Sequence, residues 1–123
     1  MAQILIAEDE KDIRELVGFT LKLTGHTAIL AGNGREAIDI LKKDPVDLIL
    51  MDLRMPVMTG REAAEAIKKD PKTRDIPIIF MTAKDQDPAI SGEIANGVEY
   101  IAKPFSVEGL QKKVDEVLAL NHK

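Results

Sequence analysis

Short apolar runs alternate with segments of helical periodicity along the whole chain. The first run, Ile4, Leu5, Ile6 and Ala7, is rich in β-branched residues and breaks off at Glu8, Asp9 and Glu10. Ile13, Leu16, Val17, Thr20 and Leu21 then recur at helical spacing, which predicts a first helix with these residues on its inward face. Gly25 stands where a left-handed C-terminal cap would close it. Residues 27–31 read as a half-exposed second strand, and Asn33 with Glu36 fits a capping box for a second helix whose stripe is Ala37, Ile38 and Leu41. A third run, Leu48 to Met51, ends in a carboxylate, Asp52, and a turn containing Pro56 and Gly60. Thr59 and Glu62 predict the next capping box, with Ala63, Ala64 and Ile67 facing inward.

Residues 76–81 form a fourth apolar run that ends in Thr82, Ala83 and Lys84. Asp87-Pro88 signals the start of a fourth helix, weakened by Gly92 and held only by Ile90, Ile94 and Ala95. Residues 98–102 predict a short fifth strand before Lys103-Pro104. Ser106 can cap a last helix whose buried face is Leu110, Val114, Val117 and Leu118. Strands separated by helix-length segments mean a parallel sheet with right-handed crossovers. The expected fold is α/β, a doubly wound (βα)5 three-layer sandwich forming one domain over residues 1–123.

Composition narrows the chemistry. A hydrophobic share of 45% and charges of both signs argue for a packed globular domain. A net charge of -4 argues against direct contact with nucleic acid. The absence of cysteine removes disulfides, thiol catalysis and cysteine-ligated zinc, and His26 and His122 are too far apart in sequence to suggest a histidine metal site. The apolar runs fall well short of the ~20 residues of a membrane helix. No basic leader precedes the first strand, so a cytoplasmic protein is expected.

Parallel strands deliver their C-terminal ends to one edge, which gathers Glu8, Asp9, Asp52, Thr82 and Lys103. Crowded carboxylates repel unless a cation intervenes, and with no histidine or cysteine ligand nearby Mg2+ suits them best. An ammonium and a hydroxyl opposite the metal suit phosphate oxygens. Singly, each residue has a plainer reading. Asp9 or Glu10 could cap the first helix, Thr82 could be an ordinary strand-end residue, Lys103-Pro104 a turn and Asp52 a solvated strand end. The conjunction at one edge favours a Mg2+-dependent phosphoryl site.

Over its whole length the chain resembles the receiver domain of bacterial two-component response regulators. The resemblance rests on Glu8-Asp9, on Asp52 in Asp-Leu-Arg-Met-Pro with Gly60 following, on Thr82-Ala83, and on Tyr100-Ile101-Ala102-Lys103-Pro104-Phe105. It implies a flavodoxin-like sheet of order 2-1-3-4-5. Asp52 would accept a phosphoryl group from a sensor histidine kinase or phosphotransfer protein. Asp9, Asp52 and the backbone carbonyl of Arg54 would ligate Mg2+, with Glu8 reaching it through water. Thr82 and Lys103 would hold phosphoryl oxygens, and Thr82 and Tyr100 would relay the change to the face made by the fourth helix, fifth strand and fifth helix. The domain would catalyse only its own phosphorylation and dephosphorylation, and its downstream protein target is unknown. A stand-alone receiver is expected in preference to an excised one.

Several residues tune or depart from the family pattern. Glu8 replaces the more frequent Asp, and the cations Arg54 and Lys84 sit two residues after Asp52 and Thr82, where they are expected to alter phosphoryl lifetime. Gly92 suggests a mobile output face, and Asp115 beside Lys113 argues against the dimer mode of DNA-binding regulators. The competing reading is a Mg2+-dependent phosphohydrolase with an aspartyl-phosphate intermediate. Such enzymes place a second acid two residues after the nucleophile, where this chain has Arg54.

Overall fold

The computed structural model describes residues 2–83, 98–103 and 105–121, without the side chains of 83, 98, 103 and 121. Its strands are β1 (Gln3–Ala7), β2 (Thr27–Ala31), β3 (Leu48–Asp52), β4 (Ile78–Ala83) and β5 (Val98–Lys103). Its helices are α1 (Lys11–Leu23), α2 (Gly34–Lys43), α3 (Gly60–Lys69) and, after β5, α4 (Val107–Asn121). The helix expected between Asp87 and Gly97, with Lys84 before it, lies outside the described residues.

All four strand pairings are parallel, and the sheet order is β2-β1-β3-β4-β5. Side chains alternate across a strand, so this sheet divides the core in two. Ile4, Ile6, Leu48, Leu50, Ile79 and Met81 pack with Val17 and Leu21 of α1 and with Leu110, Val114 and Val117 of α4. On the other face Leu5, Ala7, Ile49, Met51, Ile78 and Phe80 meet Ala37 of α2 and Ala63, Ala64 and Ile67 of α3. Both faces of β3 are covered, which is why its sequence is continuously apolar until Asp52. This is the expected flavodoxin-like three-layer architecture.

Local signals explain most boundaries. Thr59 and Glu62 form the full capping box of α3, and the Ser106 hydroxyl accepts the Gly109 N–H at 2.9 Å at the head of α4. Gly25 closes α1 with φ 92, a left-handed value that glycine takes without steric cost. At α2 the box is incomplete: Asn33 accepts the Glu36 N–H, but the Glu36 carboxylate accepts from Gly32 rather than from Asn33.

Further details correct the sequence expectations. Leu16, expected on the inward face of α1, is 55% exposed, because Val17 and Leu21 take the buried stripe and leave Leu16 and Phe19 outward. The fourth and fifth strands also end later than expected, so Thr82 lies within the ladder opposite Ala102 and Lys103 closes it opposite Ala83. Residue 76 precedes β4, and the Pro77 carbonyl accepts the Ile49 N–H at 3.0 Å.

Candidate functional site

The chain steps from β1 outward to β2 and then returns across β1 to β3, so strand order reverses between β1 and β3. A crevice opens at such a reversal beyond the carboxyl ends of the strands. Ala7 is level with Met51, which brings the residue after β1, Glu8, beside Asp52 at the end of β3. One carboxylate oxygen from each of Glu8, Asp9 and Asp52 lies within 4.8 Å of the others. Glu8 is fully buried and Asp52 nearly so, whereas Asp9 faces solvent.

Backbone contacts set the acidic turn. The Glu8 N–H donates to Ala31 of β2 at 3.0 Å, and the Glu10 N–H donates to Glu8 Oε2 at 3.1 Å. Glu10 occupies the N-cap position of α1, yet its side chain makes no capping bond. The capping reading of this pair therefore fails for Glu10, and Glu8 and Asp9 converge on Asp52 instead. Every donor in the cluster is a carboxylate oxygen, with one arm held in the interior, a set suited to a hard divalent cation.

The turn after β3 fixes Asp52. Its Oδ1 accepts the Arg54 N–H at 3.3 Å, a contact that residue types alone did not reveal. The Arg54 side chain points to solvent. The Gly60 N–H donates to the Leu53 carbonyl at 3.0 Å, and a Cβ on Gly60 would overlap the carbonyl of Asp52. Gly60 is therefore the residue that lets α3 begin directly against the strand carrying Asp52. Val57, at the outer corner, has φ 70, an uncommon value for a β-branched residue.

Asp52 pairs with Met81, so Thr82 lies one step further along β4, and its side chain is buried. Lys103 is level with Ala83 at the end of β5; its side chain is outside the described residues. Tyr100 pairs with Phe80 but is 50% exposed, which rules out a core role. Beside it, Lys113 of α4 donates to Glu99 at 2.9 Å, tying the last helix to β5. The fold thus brings Glu8, Asp9 and Asp52 together, sets Thr82 and the Lys103 backbone at the same sheet edge, and leaves Tyr100 on an outer face.

The family model of the response regulator receiver domain matches residues 4–115. The chain belongs to this family. Among curated relatives, the phosphate regulon transcriptional regulatory protein PhoB of Pseudomonas aeruginosa is 39% identical over 116 residues, 94% of this chain and 51% of that protein. The probable transcriptional regulator ycf27 of Porphyridium aerugineum is 34% identical over 117 residues, 94% of this chain and 48% of that protein. The chain therefore spans about half the length of these curated relatives. Among solved structures, chemotaxis protein CheY4 of Vibrio cholerae matches with TM-score 0.88 and 33% identity, over 95% of this chain and 98% of its own. The receiver domain of a Pseudomonas aeruginosa sensor histidine kinase, with a magnesium ion coordinated in its active site cleft, matches with TM-score 0.86 and 28% identity, over 96% and 98% of the two chains. The function class is that of the family, a phosphorylation-dependent signalling switch of two-component systems. Nothing in the fold or in these relatives favours a phosphohydrolase. Among the described residues no helix is long and apolar enough to cross a membrane.

Proposed function

We propose that Asp52 is the phosphoacceptor of a single receiver domain spanning residues 1–123, phosphorylated by a sensor histidine kinase or a phosphotransfer protein. The observation that carries this reading is the position of Asp52, which ends a buried strand within 4.8 Å of two further carboxylates. An Asp52 carboxylate oxygen attacks phosphorus, the P–N bond of the donor phosphohistidine breaks, and the leaving imidazole recovers its proton from solvent. Asp9, Asp52 and the Arg54 carbonyl would hold Mg2+, with Glu8 acting through water. When bound, that ion neutralises charge on the transferring phosphoryl oxygens. The neighbour solved with magnesium in its cleft supports this choice of metal.

Thr82 and Lys103 are assigned to the phosphoryl oxygens. Thr82 is also assigned, with Tyr100, to relay the modified state to the outer face of β5 and α4, where an unknown downstream protein binds. The half-exposed Tyr100 ring suits a reporter of that state better than a core residue. In this reading the domain turns over no external substrate, acts in the cytoplasm, and touches neither nucleic acid nor membrane directly.

Incubation with acetyl phosphate followed by intact mass measurement tests the assignment. One phosphoryl adduct is expected in the presence of Mg2+, and none after chelation or in Asp52→Asn. Phosphate release far beyond one equivalent per chain, without an adduct, would support the hydrolase instead.

A further inference from the structure

Among the described residues, a charged side chain outside the family pattern holds the acidic turn. Arg14, on the second turn of α1, is partly buried and donates from Nη1 to the backbone carbonyl of Glu8 at 2.7 Å. Such a charge-assisted bond is short and stronger than a neutral one. The Glu8 backbone is consequently held on both sides of its Cα: its N–H donates to the Ala31 carbonyl of β2 and its carbonyl accepts from Arg14 of α1. Of the contacts described that orient Glu8, this is the one a side-chain substitution can remove without changing the backbone ladder.

Arg14 also reaches the turn after β2. A point at the missing Cβ of Gly32 lies 3.5 Å from Arg14 Nη1 and 3.6 Å from Glu36 Oε1, and that same oxygen accepts the Gly32 N–H at 2.7 Å. The guanidinium thus sits at the junction of β1, α1 and the β2–α2 turn. A cation there can act on the acid cluster in two opposite ways. As a bare charge it would repel a second cation and weaken its own case for a metal site. As a clamp it would hold the Glu8–Asp9 turn in the one arrangement that points both carboxylates at Asp52. The short bond to a backbone carbonyl, rather than to a carboxylate, favours the clamp.

We propose that Arg14 is a positioning residue for divalent-cation binding, fixing the Glu8–Asp9 turn through the Glu8 carbonyl. The inference rests on the reading of Glu8, Asp9 and Asp52 as the Mg2+ site. Outer partners of metal ligands typically contribute about 10–100-fold to affinity. Arg14 acts through the backbone of a residue that meets the ion through water, so a smaller loss, roughly three- to tenfold, is expected.

The test is Mg2+ affinity by NMR titration of backbone amides in wild-type protein, Arg14→Gln and Arg14→Lys, with melting temperatures in chelator and in saturating Mg2+. Both variants should bind Mg2+ more weakly, Gln more than Lys, and should gain correspondingly less melting temperature from the ion. Phosphorylation by acetyl phosphate should require more Mg2+ for half-maximal rate while reaching a similar plateau. Three results overturn the proposal: an unchanged Mg2+ affinity, a lowered metal-free melting temperature as the sole effect, or tighter binding in Arg14→Gln with wild-type binding in Arg14→Lys, the signature of charge alone. Should Arg14→Gln fail to fold, Arg14→Lys decides by the same affinity criterion. Wild-type protein that binds no Mg2+ would overturn the metal site itself, and the proposal with it.

Discussion

Gly60 joins the fold to the site, and replacing it with alanine should damage both. A Cβ at this position would overlap the Asp52 carbonyl oxygen and come within 2.9 Å of Leu53 Cα. Both obstacles are backbone atoms, so no side chain can rotate aside. Overpacking of this kind costs about 1–3 kcal/mol. Withdrawing α3 also loosens the 3.0 Å bond from the Gly60 N–H to Leu53, another ~1 kcal/mol. The sum, about 2–4 kcal/mol, can be converted to a melting shift. An unfolding entropy of roughly 2.1 cal/mol/K per residue over 123 residues gives about 0.26 kcal/mol/K, hence a fall of about 8–15 °C. Thermal and urea denaturation followed by circular dichroism measures this. Gly18→Ala is the internal control, because its added Cβ meets the half-exposed Leu30 side chain at 3.2 Å, which can yield. It removes a glycine from the interior of α1 and should raise stability by about 0.5–1 kcal/mol. A Gly60→Ala protein within about 0.5 kcal/mol of wild type would refute the close approach inferred between α3 and β3.

Other outcomes follow from single contacts. Val57 is 81% exposed with φ 70, so Val57→Asn, a residue that tolerates this region, should stabilise the protein by about 0.5–1 kcal/mol in the same denaturation assay. Burial pushes the Lys68 ammonium below its usual 10.5, with the Asp75 charge opposing, while Nζ donates to the Arg74 carbonyl at 3.1 Å. The folded protein then holds fewer protons than the unfolded chain between the lowered pKa and 10.5, so wild-type stability should rise with pH across that window relative to Lys68→Met. An equal pH dependence in the two proteins would count against the shift. Thr82→Ala should still form the Asp52 adduct but give a much smaller change in the Tyr100 amide NMR signal; an undiminished change would remove Thr82 from the relay.

Much of this molecule is readable in one dimension because its central strands are covered on both faces. The apolar runs of β1, β3 and β4, the turn chemistry at Gly25, Thr59 and Ser106, and the carboxylate ending β3 all follow from local rules that tertiary packing does not override. Leu16 shows where periodicity stops. α1 carries apolar residues on its outer side as well, with Leu16, Phe19 and Leu23 all exposed, and spacing alone cannot rank two apolar stripes on one helix. Strand ends were less legible, since Thr82 and Lys103 look like residues past a strand and yet continue the β4–β5 ladder. The acid cluster could be inferred from strand ends, because parallel topology makes distant residues neighbours. Its supports could not. The Arg54 N–H on Asp52 and the Arg14 guanidinium on Glu8 depend on a turn conformation and a long side-chain path that no residue type announces.

The identity of the nucleophile is the point on which the functional reading turns, and reductive trapping addresses it directly. Borohydride converts an aspartyl phosphate to homoserine with loss of phosphate. Peptide mapping after treatment with acetyl phosphate, Mg2+ and borohydride therefore reports which carboxylate carried the phosphoryl group. Reduction at Asp52, and at neither Glu8 nor Asp9, is the expected result. Reduction at either of those residues instead, or none anywhere in folded protein, would contradict Asp52 as the phosphoacceptor.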